Sequence, residues 1–171
     1  MTELVLLAMR GDKDAFAELI GRCEQTMYRI ARSYFSEPMD IDDSIAQTVM
    51  LCWKNIGGLK RPEYFRTWLC RILINTCKSM LSRKRDCVSL DELPESMQPA
   101  DRHAKAEGDG FSQLMELADP RYRTVMLLYY GEGFGIREIS ELTGLPQGTV
   151  SSDLMRGRRQ LAKRLKEEDL L

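Results

Sequence analysis

Apolar residues along this 171-residue chain recur at three- and four-residue intervals. No run alternates Val, Ile, Thr and aromatics between turns as a half-buried strand would. Ile41, Ile45, Val49, Cys52, Trp53 and Ile56 form one helical series, opened by acids at Asp40 and its neighbours that can cap it and closed by Gly57-Gly58. Phe65, Leu69, Ile72, Thr76 and Met80 form a second after Pro62, and residues 4–9 and 16–35 supply at least two more helices. The expected fold is all-α. With 43% hydrophobic residues the chain can bury a core.

Charge divides the chain further. Residues 36–53 hold four acids (Glu37, Asp40, Asp42, Asp43) and no base, whereas residues 54–85 hold nine bases and one acid, Glu63. Residues 86–119 reverse the sign with nine acids and two bases, and residues 154–166 carry six bases and no acid. A near-neutral total, 25 bases against 26 acids, thus hides two basic blocks and an acidic spacer. Residues 86–110 contain Pro94, Pro99, Gly108 and Gly110 and little periodicity, so they read as an acidic linker. Two small helical domains follow, residues 1–85 and 111–171, and the basic blocks are two places to meet a polyanion.

The second domain has the order of a helix-turn-helix. Residues 122–130 are an apolar helix broken by Gly131, Gly133 and Gly135, and residues 136–143 a short helix with Ile139 and Leu142 inward. Gly144-Leu145-Pro146 makes a tight turn before a longer helix over about 147–165. At about 100° per residue, Val150, Leu154, Gly157, Leu161 and Leu165 share the core stripe. Gly148, Ser152, Met155, Arg156, Arg159 and Lys163 face away. Small polar residues first and cations after suit a helix entering the major groove and meeting phosphates.

The same projection of residues 60–85 turns Phe65, Leu69, Ile72 and Thr76 inward and Thr67, Arg71, Lys78, Ser82 and Arg85 outward, with Asn75 on the flank. Tyr64, Phe65 and Trp68 cluster at the entry to that helix, equipment for extruded bases of single-stranded DNA, although Phe65 and Trp68 at helical spacing equally suit a core. Ile74 and Leu81 fall near the outward face, which points to a protein interface there.

Catalytic and metal chemistry find little support. Cys23, Cys52, Cys70, Cys77 and Cys87 are odd in number with no CxxC pair, and His103 is the one histidine. Gly131-Glu-Gly-Phe-Gly135 follows a helix and lacks dinucleotide-loop spacing. Asp40, Asp42 and Asp43 suit a helix amino terminus better than a metal. The apolar run at residues 4–9 follows Glu3 without a basic leader and falls far short of the roughly 18 residues needed to span a bilayer, so the reading is a soluble intracellular protein.

Four stretches carry a resemblance: LLAMRGDKDAFAELI, DIDDSIAQTVMLCW, FRTWLCRILINTCKSMLSRKR and REISELTGLPQGTVSSDLMRGRRQLAKRL. In this order they resemble a bacterial RNA polymerase sigma factor of the extracytoplasmic-function (ECF) group of the sigma-70 family. The resemblance implies an alternative sigma factor without catalysis or cofactor. Its partners would be core RNA polymerase, promoter DNA and an anti-sigma factor, and it would be cytoplasmic, with no direct membrane insertion. Asp40, Asp43, Gln47, Met50 and Trp53 match the polymerase-binding helix. Tyr64, Phe65, Thr67, Trp68, Arg71, Asn75, Lys78 and Arg85 match the minus-ten element, which reads and melts DNA. Gly148, Thr149, Ser151, Ser152, Met155, Arg156, Arg159 and Lys163 match the minus-thirty-five reader.

The sequence departs from its relatives at two places. Ala46-Gln47 replaces a usual Gln-Glu pair, and Ser151, Ser152 and Asp153 stand where relatives often carry a base, Ser and Arg, so two cations beside the groove are lost. Two rivals share the layout. One is a stand-alone regulator binding duplex DNA, and the other a metal-dependent enzyme acting on nucleic acid through the Asp cluster.

Overall fold

A computed structural model describes residues 1–88 and 110–167, with side chains in the first stretch described as far as residue 84. The acidic run at residues 89–109, which includes His103, and the side chains of Arg85 and Cys87 lie outside the described residues. The described chain falls into two compact units, and no strand occurs among the described residues.

In the first unit, α1 (Thr2–Met9) and α2 (Lys13–Gly21) pair around a turn. Asp12 starts α2 by accepting a hydrogen bond from the Ala15 N–H at 2.9 Å. Next come α3 (Glu24–Tyr34), α4 (Pro38–Asn55) and, after short turns at Ile56–Gly58 and Pro62–Tyr64, the long α5 (Phe65–Val88). α5 packs on both α3 and α4. Its buried residues accordingly cover more than one stripe: Phe65, Leu69, Cys70, Leu73, Ile74, Thr76 and Cys77. Val5, Leu19, Met27, Ile30 and Cys52 complete this core. Ser44 and Thr48 are polar and fully buried, and each donates its hydroxyl to a carbonyl of its own helix, Ile41 O at 2.8 Å and Ser44 O at 2.7 Å. That arrangement avoids leaving a buried donor unsatisfied.

The second unit holds α6 (Gly110–Glu116), α7 (Pro120–Met126, wound wider over Leu127–Gly131), α8 (Ile136–Thr143) and α9 (Gln147–Glu167). Asp119 caps α7, with Pro120 in its first turn. Glu138 Oε2 accepts from the Gly135 N–H at 2.9 Å and so closes the start of α8. Gly144 ends α8 at φ +74, a left-handed conformation that favours glycine. Two α8 hydroxyls then tie down the turn, Ser140 Oγ donating to Leu145 O at 2.6 Å and Thr143 Oγ1 accepting from the Leu145 N–H at 3.3 Å.

The segment 16–35, expected with residues 4–9 to supply at least two helices, itself holds two, broken at Arg22 and Cys23. Four expectations are corrected. α4 begins at Pro38 with Glu37 at its cap position, so Asp40 lies inside the first turn and does not cap it. Ile74 is buried and offers no outward interface, because α5 is covered by two helices, and Leu73 supplants the half-buried Ile72 in the core. Asp153 is buried, so its replacement of a base does not remove a cation from the exposed face of α9.

α9 lies close to α7 because Gly157 has no side chain. A methyl group there would run into the Met126 sulfur and meet Tyr122 Cβ at 3.0 Å. Gly157→Ala is expected to destabilise the second unit by about 1–3 kcal/mol, read as a lower melting temperature for that unit by calorimetry of the full chain.

Candidate nucleic-acid interface

α5 reaches solvent along one ridge. Arg71, Asn75 and Lys78 are exposed, and Thr67 and Trp68 are half-buried beside them. At the amino-terminal end of this ridge the turn Pro62–Tyr64 presents Tyr64, which keeps 46% of its surface exposed. The Arg61 guanidinium lies over the Tyr64 ring, 4.5 Å from its centroid, and donates from Nε to Glu63 Oε1 at 3.0 Å. The Glu63 carboxyl is held below the usual range by its own backbone N–H and by Arg61. Cations along a backbone path, an amide and an open aromatic ring are what single-stranded DNA requires.

Phe65 does not belong to this surface. It is 1% exposed and packs against Trp68, centroids 5.9 Å apart, so its expected contact with DNA gives way to a place in the core. Arg61 opens the loop and helix, residues 61–85, that match the minus-ten element, and its contact with Tyr64 adds it to this surface. Its signal is a cation three residues before an aromatic inside a proline turn.

On α9 the geometry follows the projection. Gly148, Thr149, Ser151, Met155, Arg156, Arg159 and Lys163 are exposed, whereas Val150, Leu154, Gly157 and Leu161 are buried. Ser152 is half-buried and donates to Gly148 O at 2.7 Å, which leaves its oxygen lone pairs at the surface. Lys163 pairs with Glu167 at 3.6 Å in the open, a contact that water and salt readily exchange. Arg164 differs from these cations because it donates to Leu117 O at 2.9 Å.

α4 carries a surface of another kind. Met39, Asp43, Ala46, Met50 and Trp53 share the side opposite the buried Ile41, Ser44, Thr48 and Cys52. Met39 and Met50 are 76% and 72% exposed, and the partly exposed Trp53 rests on Phe16 with centroids 4.9 Å apart. Gln47 is half-buried at the edge of this stripe. Asp40 leaves it, because its carboxylate is bound by Lys84. Met39 was not anticipated, although its spacing of seven from Ala46 and fourteen from Trp53 is a helical-face signal.

Known proteins divide along the same lines. Residues 19–86 match the family described as sigma-70 region 2, and residues 112–161 match sigma-70, region 4. The ECF RNA polymerase sigma factor SigW of Bacillus subtilis (strain 168) is 25% identical over 92% of each chain. The chain belongs to the ECF group of the sigma-70 family. Its fold is shared by CnrH, solved in complex with the cytosolic domain of CnrY, with a TM-score of 0.65, 22% identity and 97% of each chain covered. It is shared too by the sigma factor RpoE in complex with the anti-sigma factor NepR from Bartonella quintana, with a TM-score of 0.69, 21% identity and 88% and 96% of the two chains covered.

This sigma factor is an initiation factor and not an enzyme. Cys23, Cys52, Cys70 and Cys77 are buried and reduced. Burial, with Cys23 nearby, pushes the Cys52 thiol up to about 12, and burial pushes Cys77 up to about 11 although Ser44 hydrogen-bonds it. Both stay neutral at physiological pH. No three His, Cys, Asp or Glu side chains converge on a metal-binding geometry among the described residues, and no described helix is long and apolar enough to cross a membrane.

The raised thiols give a sign for alkaline stability. The unfolded thiol ionises near 9, and the folded one resists until about 11 to 12. Stability is therefore whole below pH 9 and is lost as pH climbs through 9 towards 12. Cys52→Ala is expected to have a shallower fall in melting temperature between pH 8.5 and 10.5, on the order of the ionisation range of a free thiol, than the parent.

Proposed function

We propose that this sigma factor divides its work among three helices. The exposed stripe of α4 docks on core RNA polymerase through Met50, Trp53, Asp43 and Gln47, with Met39 extending it. The ridge of α5 (Thr67, Trp68, Arg71, Asn75 and Lys78), with Tyr64 at its entry, opens and reads the minus-ten DNA. The exposed face of α9 reads the minus-thirty-five DNA, Ser151, Ser152, Met155 and Arg156 at the bases and Arg159 and Lys163 at phosphates. The protein works in the cytoplasm and is held inactive by an anti-sigma factor. RpoE, similar in fold, was solved in such a complex.

One observation carries the reading: in the first unit the exposed methionine stripe and the exposed cationic ridge lie on different helices. Met39 and Met50 stand out on α4, and Arg71 and Lys78 on α5. Water is expelled from methionine stripes by a protein partner, and counterions are expelled from cationic ridges by DNA. A free-standing DNA binder has no need of the first.

Two experiments test the assignment. Arg156→Ala is expected to weaken promoter binding by about 1–3 kcal/mol while core polymerase affinity stays at the parent value. Transcription that keeps its full dependence on the minus-thirty-five sequence would remove Arg156 from the reader. Met50→Asp is expected to lose polymerase affinity by about tenfold or more, whereas Asn75→Ala keeps that affinity and lowers permanganate reactivity at the minus-ten region. Gel shifts in which the purified chain alone binds promoters as tightly as holoenzyme would replace this reading with a stand-alone regulator.

A further inference from the structure

Lys84 belongs by sequence to the basic block of α5, yet its ammonium lies 2.6 and 2.5 Å from the two oxygens of Asp40 on α4. The side chain of Asp40 keeps 18% of its exposure and that of Lys84 55%, so the carboxylate is the sheltered member. The ion pair joins the amino-terminal turn of α4 to the carboxyl-terminal turns of α5.

We propose that Asp40 and Lys84 are a positioning pair. They fix the pitch of α5 against α4, so that polymerase docked on α4 also sets where α5 meets the promoter. This rests on the assignment of α4 to polymerase and α5 to DNA given above. The pair also withholds Lys84 from the phosphates and Asp40 from polymerase, because each neutralises the other at contact distance.

Full-length protein assembled with core polymerase tests this through Asp40→Asn, Lys84→Gln and the exchanged pair D40K/K84D. Each single variant is expected to lower the permanganate-reactive open fraction about threefold, the size of one partly screened ion pair. The exchanged pair is expected to open more promoter than either single variant. Lys84→Gln is also expected to keep the parent slope of log affinity against log salt, because no phosphate loses its cation.

A slope shallower by about 0.7–0.9 in Lys84→Gln would place Lys84 on a phosphate and overturn the proposal. So would polymerase affinity lost in Asp40→Asn alone and not recovered by the exchange, which would make Asp40 a direct contact. Single variants that open promoters as the parent does would overturn it too. Those results leave the functional reading standing, whereas a parent holoenzyme that opens no promoter removes both.

Discussion

On the proposed assignment α5 has to be a core helix and a DNA-facing helix at once, and the packing of the first unit suits both demands. α3 and α4 cover it from two directions, which leaves a ridge only a few residues wide in water. α4 and α5 pack together, and several of their buried side chains are small: Ser44, Thr48 and Cys52 on one, Cys70, Thr76 and Cys77 on the other. Small residues let helices approach closely, and hydroxyls that donate to their own helix carbonyls add no unmet donor to the interior. The thiols serve here as compact apolar groups, and burial keeps them protonated. A rigid ridge follows from this packing, and a reader of extruded bases needs rigid placement more than it needs many cations.

The second unit meets the same demand with other means. Gly157 lets α9 settle on Met126 and Tyr122 of α7, and the turn into α9 is tied by Ser140 and Thr143. At the far end Gln160 accepts from the Asp119 N–H at 3.0 Å and Arg164 donates to Leu117 O, while Arg123 donates to Glu116 O and Ala118 O at 3.0 Å each. Three side chains therefore hold the carbonyl-rich end of α6 and the start of α7. α9 is fastened at both ends by polar contacts and in its middle by close packing, and its exposed cations are carried on a fixed frame.

Much of this was legible because helical periodicity and charge are local properties. The inward stripe of α9 projects correctly from Val150 to Leu161, and the helix-turn-helix boundaries follow from Gly144 and Pro146. What a single helix cannot report is how many neighbours cover it. Ile74 projects outward from the stripe of Phe65 and Leu69 and is nevertheless buried, since a second helix arrives on that side. Phe65 was misplaced for a related reason: an aromatic at the mouth of a basic helix suits a base-stacking platform and a core equally, and only tertiary packing decides. Asp40 and Lys84, far apart in sequence, each had a plausible role alone, and their meeting is a property of the α4–α5 crossing. Asp153 shows the limit of reading a motif by comparison, because a residue changed beside a groove motif turned out to face inward.

The near-neutral charge explains why the two kinds of surface are both needed. At a Debye length of about 8 Å a phosphate senses the helix face it touches and little of the rest of the chain. On the proposed assignment the cations of α5 and α9 therefore act at contact range, whereas the whole chain, with 26 acids against 25 bases, exerts no long-range pull on DNA. Contact has to be supplied by something that does not depend on charge. In that assignment the exposed methionines of α4 meet that need, because apolar burial is insensitive to the counterion atmosphere that weakens phosphate contacts. On the proposed assignment, a factor built this way engages DNA when it arrives on a partner that holds it there.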